Sequence, residues 1–223
     1  MKTFFIFVVV AILIVGGVYF WIFPESLGGL LGSKPAPSPV VEQPVDTRST
    51  YASSTLGLTL HYPQSYTLND SYAYDAFGPK KLINGVKFTI PAEMATGTNL
   101  SSDSYVSVEW LPRAKSCTGD IYLKASVKAR PVTDGGVQYS LATSSGAAAG
   151  NIYEEWVYAI PASSPCTAVR YFIHSGNIGN YPAGTVREFD KAALIAAFDD
   201  IRHSLQLETA STAPTSTSTT PVQ

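Results

Sequence analysis

Residues 152–174 read IYEEWVYAIPASSPCTAVRYFIH, and their alternation decides the fold. Ile152–Ile160 and Thr167–His174 are rich in β-branched and aromatic residues, and the Pro/Ser stretch Pro161–Cys166 separates them. Two such runs around a short loop make an antiparallel hairpin. With Ile160 opposite Thr167, Tyr153 falls opposite His174, and Glu155 lies diagonal to both Arg170 and His174. One face then carries Ile152, Trp156, Tyr158, Ile160, Val169, Tyr171 and Ile173, a core face with Glu154 as its exception. The other face carries Tyr153, Glu155, Arg170 and His174, beside the Gly/Asn-rich loop 175–184. A slip of one residue would exchange the two faces.

Working outward, the same period-2 pattern recurs. Leu58, Leu60 and Tyr62 alternate with Thr59 and His61 until Pro63 stops the run, and a short strand from Tyr66 to Asn69 returns. Val86, Phe88 and Ile90 share a face, as do Val106, Val108 and Trp110. Asp134-Gly135-Gly136 is a turn leading into Val137, Tyr139 and Leu141. The segment 117–128 suits either a short helix or a strand. After Asp190 the period changes. Leu194, Phe198, Ile201 and Leu205 recur at helical spacing, with Asp190 placed to cap the free amides and Phe189 placed as a staple to Leu194. Asp199, Asp200 and Arg202 are expected to face water. The fold class is α+β: an antiparallel sheet of about seven strands packed by a C-terminal helix, preceded by one transmembrane helix.

That transmembrane helix is expected over residues 4–23, FFIFVVVAILIVGGVYFWIF. Twenty uncharged residues span roughly 30 Å as a helix, the thickness of a bilayer core. Lys2 before the run and Glu25 after it favour a cytoplasmic N-terminus, residues 1–3, and Tyr19 and Trp21 suit an interfacial belt. The run is longer than a signal-peptide core and ends in bulky residues, which favours an uncleaved signal-anchor over a cleaved signal. Residues 24–50 read as a Pro/Ser-rich linker, 51–207 as one extracytoplasmic domain in the periplasm or at the cell surface, and 208–223 as a Thr/Ser/Pro tail without enough apolar content to order itself. Cys117 and Cys166 both fall in the exported domain, where an oxidising compartment favours a disulfide; two separate buried thiols are the alternative.

Two stretches carry a resemblance. Leu56–Tyr66, LGLTLHYPQSY, together with the C-terminal IRHSLQL, resembles the opening strand, Tyr-Pro corner and closing helix of PsbP-like domains. Gly150–Pro161 and Val169–Leu194 resemble a group of exported bacterial proteins, a likeness that implies no particular activity. PsbP-like domains are largely non-catalytic protein-binding modules, so the resemblance implies a sheet covered by helices and a binding role. This chain lacks a lipobox and has its own cysteine pair, and no functional residue carries over from the family.

The residues add exclusions. Basic and acidic side chains nearly balance over 51–207, so neither a nucleic-acid stripe nor a polybasic lipid patch is present. G-x-S-x-G, S-x-x-K, H-E-x-x-H, P-loop and G-x-G-x-x-G motifs are all missing. His61, His174 and His203 are too few and too scattered for a histidine metal centre, and no cofactor is expected. The candidate site is Tyr153, Glu155, Arg170 and His174, which either bind a polar ligand or form the solvated face of a sheet. Tyr62, Tyr66, Tyr72 and Tyr74 either line a groove for carbohydrate or peptide or sit half-buried on their strands. The leading expectation is a non-catalytic module, anchored through residues 4–23, that binds a protein or envelope component. An envelope hydrolase using Glu155, His174 and Arg170 is the alternative, followed by a purely structural envelope protein.

Overall fold

The computed structural model describes residues 47–208, which belong to the compact unit Asp46–Gln223. The expected transmembrane helix, most of the linker and the tail after Glu208 lie outside the described residues. Among the described residues no helix is long and apolar enough to cross a membrane.

Among the described residues ten strands form two antiparallel sheets. In chain order they are β1 (Arg48–Ser53), β2 (Leu58–Pro63), β3 (Thr67–Tyr74), β4 (Ile83–Thr89), β5 (Tyr105–Leu111), β6 (Arg130–Asp134), β7 (Val137–Ala148), β8 (Asn151–Ile160), β9 (Cys166–Gly176) and β10 (Gln206–Leu207). The large sheet has seven strands in the order β3-β4-β5-β9-β8-β7-β6, and β1-β2-β10 form a second sheet of three. The expectation of a single sheet of about seven strands therefore holds for the large sheet and omits the small one. Strand β1 begins at Arg48, inside the stretch expected to be linker. Its alternation is too polar to separate from a spacer by composition, and pairing with β2 is what orders it.

The hairpin register is as the alternation requires: Ile160 opposes Thr167 and Tyr153 opposes His174. Val86, Val106, Val108, Tyr158, Val169, Tyr171 and Ile173 point to one side and build the main core with Leu58 and Leu60 of the small sheet and Leu194, Phe198 and Ile201 of the C-terminal helix, Lys191–His203. Asp190 caps that helix, its carboxylate accepting from the Ala193 amide at 2.9 Å. Glu154, the exception on the apolar face, reaches the Lys191 ammonium at the start of the helix.

The expectation that Arg202 faces water is overturned, and Asp199 is only partly exposed, whereas Asp200 is exposed as expected. Arg202 is 1 % exposed. Its Nε donates to the Tyr171 hydroxyl at 2.8 Å, and Nη2 donates to Asp199 at 2.7 Å and also to Asp134. The guanidinium lies over the Tyr158 and Tyr139 rings, 4.2 and 4.8 Å from their centroids. Position 202 is four residues beyond Phe198, so helical spacing places it on the buried stripe, and the carboxylates of Asp199 and Asp134 make a charge tolerable there. Tyr171 in turn donates to Asp199 at 2.7 Å. Asp199→Ala is therefore expected to cost about 1–3 kcal/mol, because it leaves the buried Tyr171 hydroxyl without its acceptor. A shift of the denaturant midpoint within error of wild type would contradict this role.

Asp134 closes the network from the end of β6, with His203 Nε2 3.1 Å from its carboxylate. The hydrogen bond from Arg202, then that from His203, holds its pKa below the ordinary carboxylate value. A carboxylate depressed in the fold contributes stability above its unfolded value of about 3.9, and that contribution is lost as pH falls through the lower folded value. The stability difference between wild type and Asp134→Asn should be steady from neutral pH to about 5 and vanish toward pH 2. A difference that grows as the pH falls would reverse the sign.

Candidate functional site

The second face of the large sheet is where the expected site residues lie, and it is not uniformly solvated. At one end it is covered by the segment 112–129. The Cys117–Cys166 disulfide ties this segment to β9 with Cα atoms 5.3 Å apart. A 3-10 turn, Gly119–Tyr122, lies flat on the strands. A Cβ at Gly119 would stand 2.6–2.7 Å from backbone atoms of Ser140, Ala142 and Val157, so only glycine allows this approach. Tyr122 and Leu123 pack there with Tyr74, Ile83, Ala142, Val157, Ala159 and Ala168 in a second core.

Arg170 stands at the margin of this second core and is fully buried, so the alternative of a solvated sheet face does not hold at this position. Nε and Nη2 each donate to Glu109 at 2.8 Å, a bidentate pair, Nη2 also donates to the Tyr122 carbonyl at 2.6 Å, and Nη1 donates to Glu155. The Tyr74 ring covers the guanidinium, with 3.6 Å from its centroid to the Arg170 Cζ, and its hydroxyl donates to Glu155 at 3.1 Å. Ser107 donates to Glu109 at 2.8 Å. Burial by itself would lower the Arg170 pKa, and the Glu109 carboxylate, with Glu155 and Tyr74 adding to it, more than reverses that, so the guanidinium stays charged. Glu109, itself fully buried, was not among the expected site residues. Its signal was the alternation that puts Ser107 and Glu109 opposite Val106 and Val108. Its partner became visible only once β5 was paired with β9, where Ser107 opposes Arg170.

Beyond Arg170 the face is left open by the described residues, and it is aromatic. Tyr105 and Phe172 oppose each other and stack at 4.9 Å and 21°; Tyr153 and His174 do the same at 4.5 Å and 21°. Tyr72 meets Tyr105 edge-on, with the two hydroxyls 2.8 Å apart. The Lys87 ammonium lies 5.3 and 5.1 Å from the Tyr72 and Tyr105 ring centroids. Burial, then the Glu109 charge, raises the Tyr72 pKa well above that of a free phenol, so it stays neutral. A shallow recess of about 510 Å³ lies between Tyr72, Tyr74, Lys87, Tyr105, Glu155 and Phe172. Glu155 is the partly exposed carboxylate of the buried charge cluster and lines this recess.

The four expected residues therefore share one face in two pairs. Glu155 and Arg170 form an ion pair. His174 turns its Nδ1 to Asp103, at 2.8 and 3.0 Å to the two carboxylate oxygens, while its Nε2 is buried without a hydrogen-bond partner. Of the other tyrosines, Tyr72 and Tyr74 join this face, whereas Tyr62 packs on Phe88 and Tyr66 belongs to the main core. A larger recess of about 700 Å³ beside β6, between Cys117, Lys128, Arg130 and Tyr139, brings together none of the expected site residues. Among the described residues the one group with metal-ligand spacing is Asp134, Asp199 and His203, and Arg202 already supplies the positive charge between those carboxylates.

No family model matches the chain, and no curated protein matches it. Two solved structures show a loose likeness. One is a crystal structure from Bacteroides thetaiotaomicron, 12 % identical, covering 74 % of this chain with a TM-score of 0.42; the chain spans half of that protein's length. The other is the solution structure of the cyanobacterial PsbP of Synechocystis, also 12 % identical, covering 79 % of this chain and 98 % of its own, with a TM-score of 0.32. Neither likeness bears on what the chain binds or does.

Proposed function

We propose that the chain is a membrane-tethered, extracytoplasmic module that binds a protein or another envelope component without catalysing a reaction. The observation that carries this reading is the open half of the second sheet face, where Tyr153, Phe172 and His174 are only half-buried beside Glu155 and Lys87. Half-buried rings held in stacked pairs offer apolar area that gains from being covered, and they lose little rotamer freedom when it is. The apolar run 4–23 supports the tether. The non-catalytic part is supported by the occupation of the candidate groups. Glu155 is held by Arg170 and Tyr74, and His174 is turned to Asp103, so the pair required by the hydrolase reading is divided between other partners.

The test compares the full chain with a Tyr153→Ser/Phe172→Ser variant for retention on purified envelope fractions: cell-wall polymer, lipid vesicles and envelope proteins. Retention on one fraction should fall at least tenfold in the variant, a change of about 1.4 kcal/mol, while the thermal midpoint of the variant stays close to wild type. Equal retention of both chains on every fraction would reject the aromatic face as the binding surface.

A further inference from the structure

Strand β7 runs for 12 residues, yet β6 pairs only with Val137–Leu141. On the side away from β8, the backbone of Thr143–Ala148 therefore meets no strand among the described residues. The polarity of this edge follows from the turn at its end. Ala149 and Gly150 both have positive φ, 50° and 81°, so they form a two-residue type I′ loop closed by Ala148 and Asn151. That closing pair is hydrogen-bonded, and alternation then directs the amides and carbonyls of Thr143, Ser145 and Ala147 outward.

The other strand edges carry the devices that keep sheets from joining. Strand β3 has Asp70 and a register shift between Asn69 and Tyr72; β6 is 5 residues long and holds Arg130, Pro131 and Asp134; β1 begins with Arg48; β10 has 2 residues. The edge Thr143–Ala148, TSSGAA, has no charge, no proline and no bulge, and all of it but Ser144 is exposed. A charged partner strand finds no complement here, whereas the same neutral segment meets itself without like-charge repulsion.

We infer that this edge receives the same edge of a second copy of the chain, antiparallel about a two-fold axis through Ser145. In that register Ser145 opposes Ser145, and Thr143 opposes Ala147 in both directions. The outward amides and carbonyls pair completely, and the two seven-stranded sheets become one. The lengths match. Each edge is bounded by the end of β6 at Arg130 and by the loop at Ala149, and the two-fold brings each loop against the other copy's β6 end. Ser144 and Gly146 lie on the face that carries Tyr153, opposite Glu155 and Tyr153. Pairing therefore makes the aromatic faces of both copies continuous, with the two Tyr153 residues three strand spacings across and two residues along the strands from each other, roughly 16 Å apart. The inference stands on the edge itself and holds whatever the aromatic face binds.

Cross-linking of the full chain in detergent reads the register. No native cysteine is free, so an introduced one is the sole thiol. Opposed residues in a hydrogen-bonded pair have Cα atoms about 5.5 Å apart, within disulfide reach. Ser145→Cys should give cross-linked dimer at least tenfold faster than Ser71→Cys on the guarded β3 edge. Thr143→Cys and Ala147→Cys should cross-link with each other when mixed and not when separate. Ser145→Lys should raise the dimer dissociation constant at least tenfold, measured by sedimentation, without shifting the thermal midpoint. Cross-linking of Ser145→Cys at the Ser71→Cys rate would overturn the inference. So would dimerisation that appears only after truncation at Glu208, because the tail would then be the occupant of the edge.

Discussion

Replacing Arg170 with methionine is expected to lower stability by about 3–5 kcal/mol. Arg170 is fully buried and is the cation between Glu109, also fully buried, and Glu155. Removing it leaves Glu109 as an uncompensated charge beneath Tyr72 and the second core, with Ser107 as its remaining side-chain donor. It also frees the Tyr122 carbonyl and removes the cation beneath the Tyr74 ring. Against a typical stability of 5–15 kcal/mol this loss is large enough to unfold the chain near its working temperature. The double variant Glu109→Leu/Arg170→Met removes the buried pair together. It should recover most of the loss, because Glu155 is 19 % exposed and can rehydrate. Denaturant midpoints of wild type and both variants decide the matter. A cost below about 1 kcal/mol for Arg170→Met would mean that the cluster is more hydrated than its burial implies.

Removing the disulfide through Cys117→Ala/Cys166→Ala should cost a similar amount, about 4 kcal/mol in the chain-entropy account for a closed loop of this length. The effect should also be local. The bond fastens the segment 112–129, whose Tyr122 donates to the Cys166 carbonyl at 2.6 Å and closes the second core over Arg170. Amide exchange should therefore quicken over Gly119–Leu123 before it does in the main core. Loss of stability without faster exchange in this segment would assign the bond a role in the unfolded chain alone. A cost under about 1 kcal/mol would deny it both roles.

Much of this fold is local and therefore legible. The faces of β8 and β9 follow from period-2 alternation and the loop length, and the hairpin register agrees residue for residue. The helix 191–203 follows from the spacing of Leu194, Phe198 and Ile201 after a capping aspartate. The illegible parts depend on pairing across long separations. Glu109 meets Arg170 across 61 positions, and Asp134 meets Arg202 across 68, so neither partnership leaves a local pattern. For that reason Arg202 is expected to face water, and Arg170 to belong either to a ligand site or to a solvated sheet face, when each neutralises carboxylates inside the protein. The small sheet was hidden because β10 has only 2 residues and β1 is mostly polar. The candidate site was half legible. The shared face of Tyr153, Glu155, Arg170 and His174 followed from the hairpin. Its division into a buried charge cluster and an open aromatic half depends on where the segment 112–129 lies, which its mixed pattern did not reveal.

The central claim is that the open aromatic half of the second face is covered by a partner in the envelope. Hydroxyl-radical footprinting of the full chain, in intact envelopes and after purification in detergent, tests it directly. Tyr153 and Phe172 should be labelled severalfold less in the envelope than in the purified chain. Leu82, 47 % exposed at the far end of the sheet, should be labelled equally in both. Equal labelling of Tyr153 and Phe172 in the two states would contradict the account.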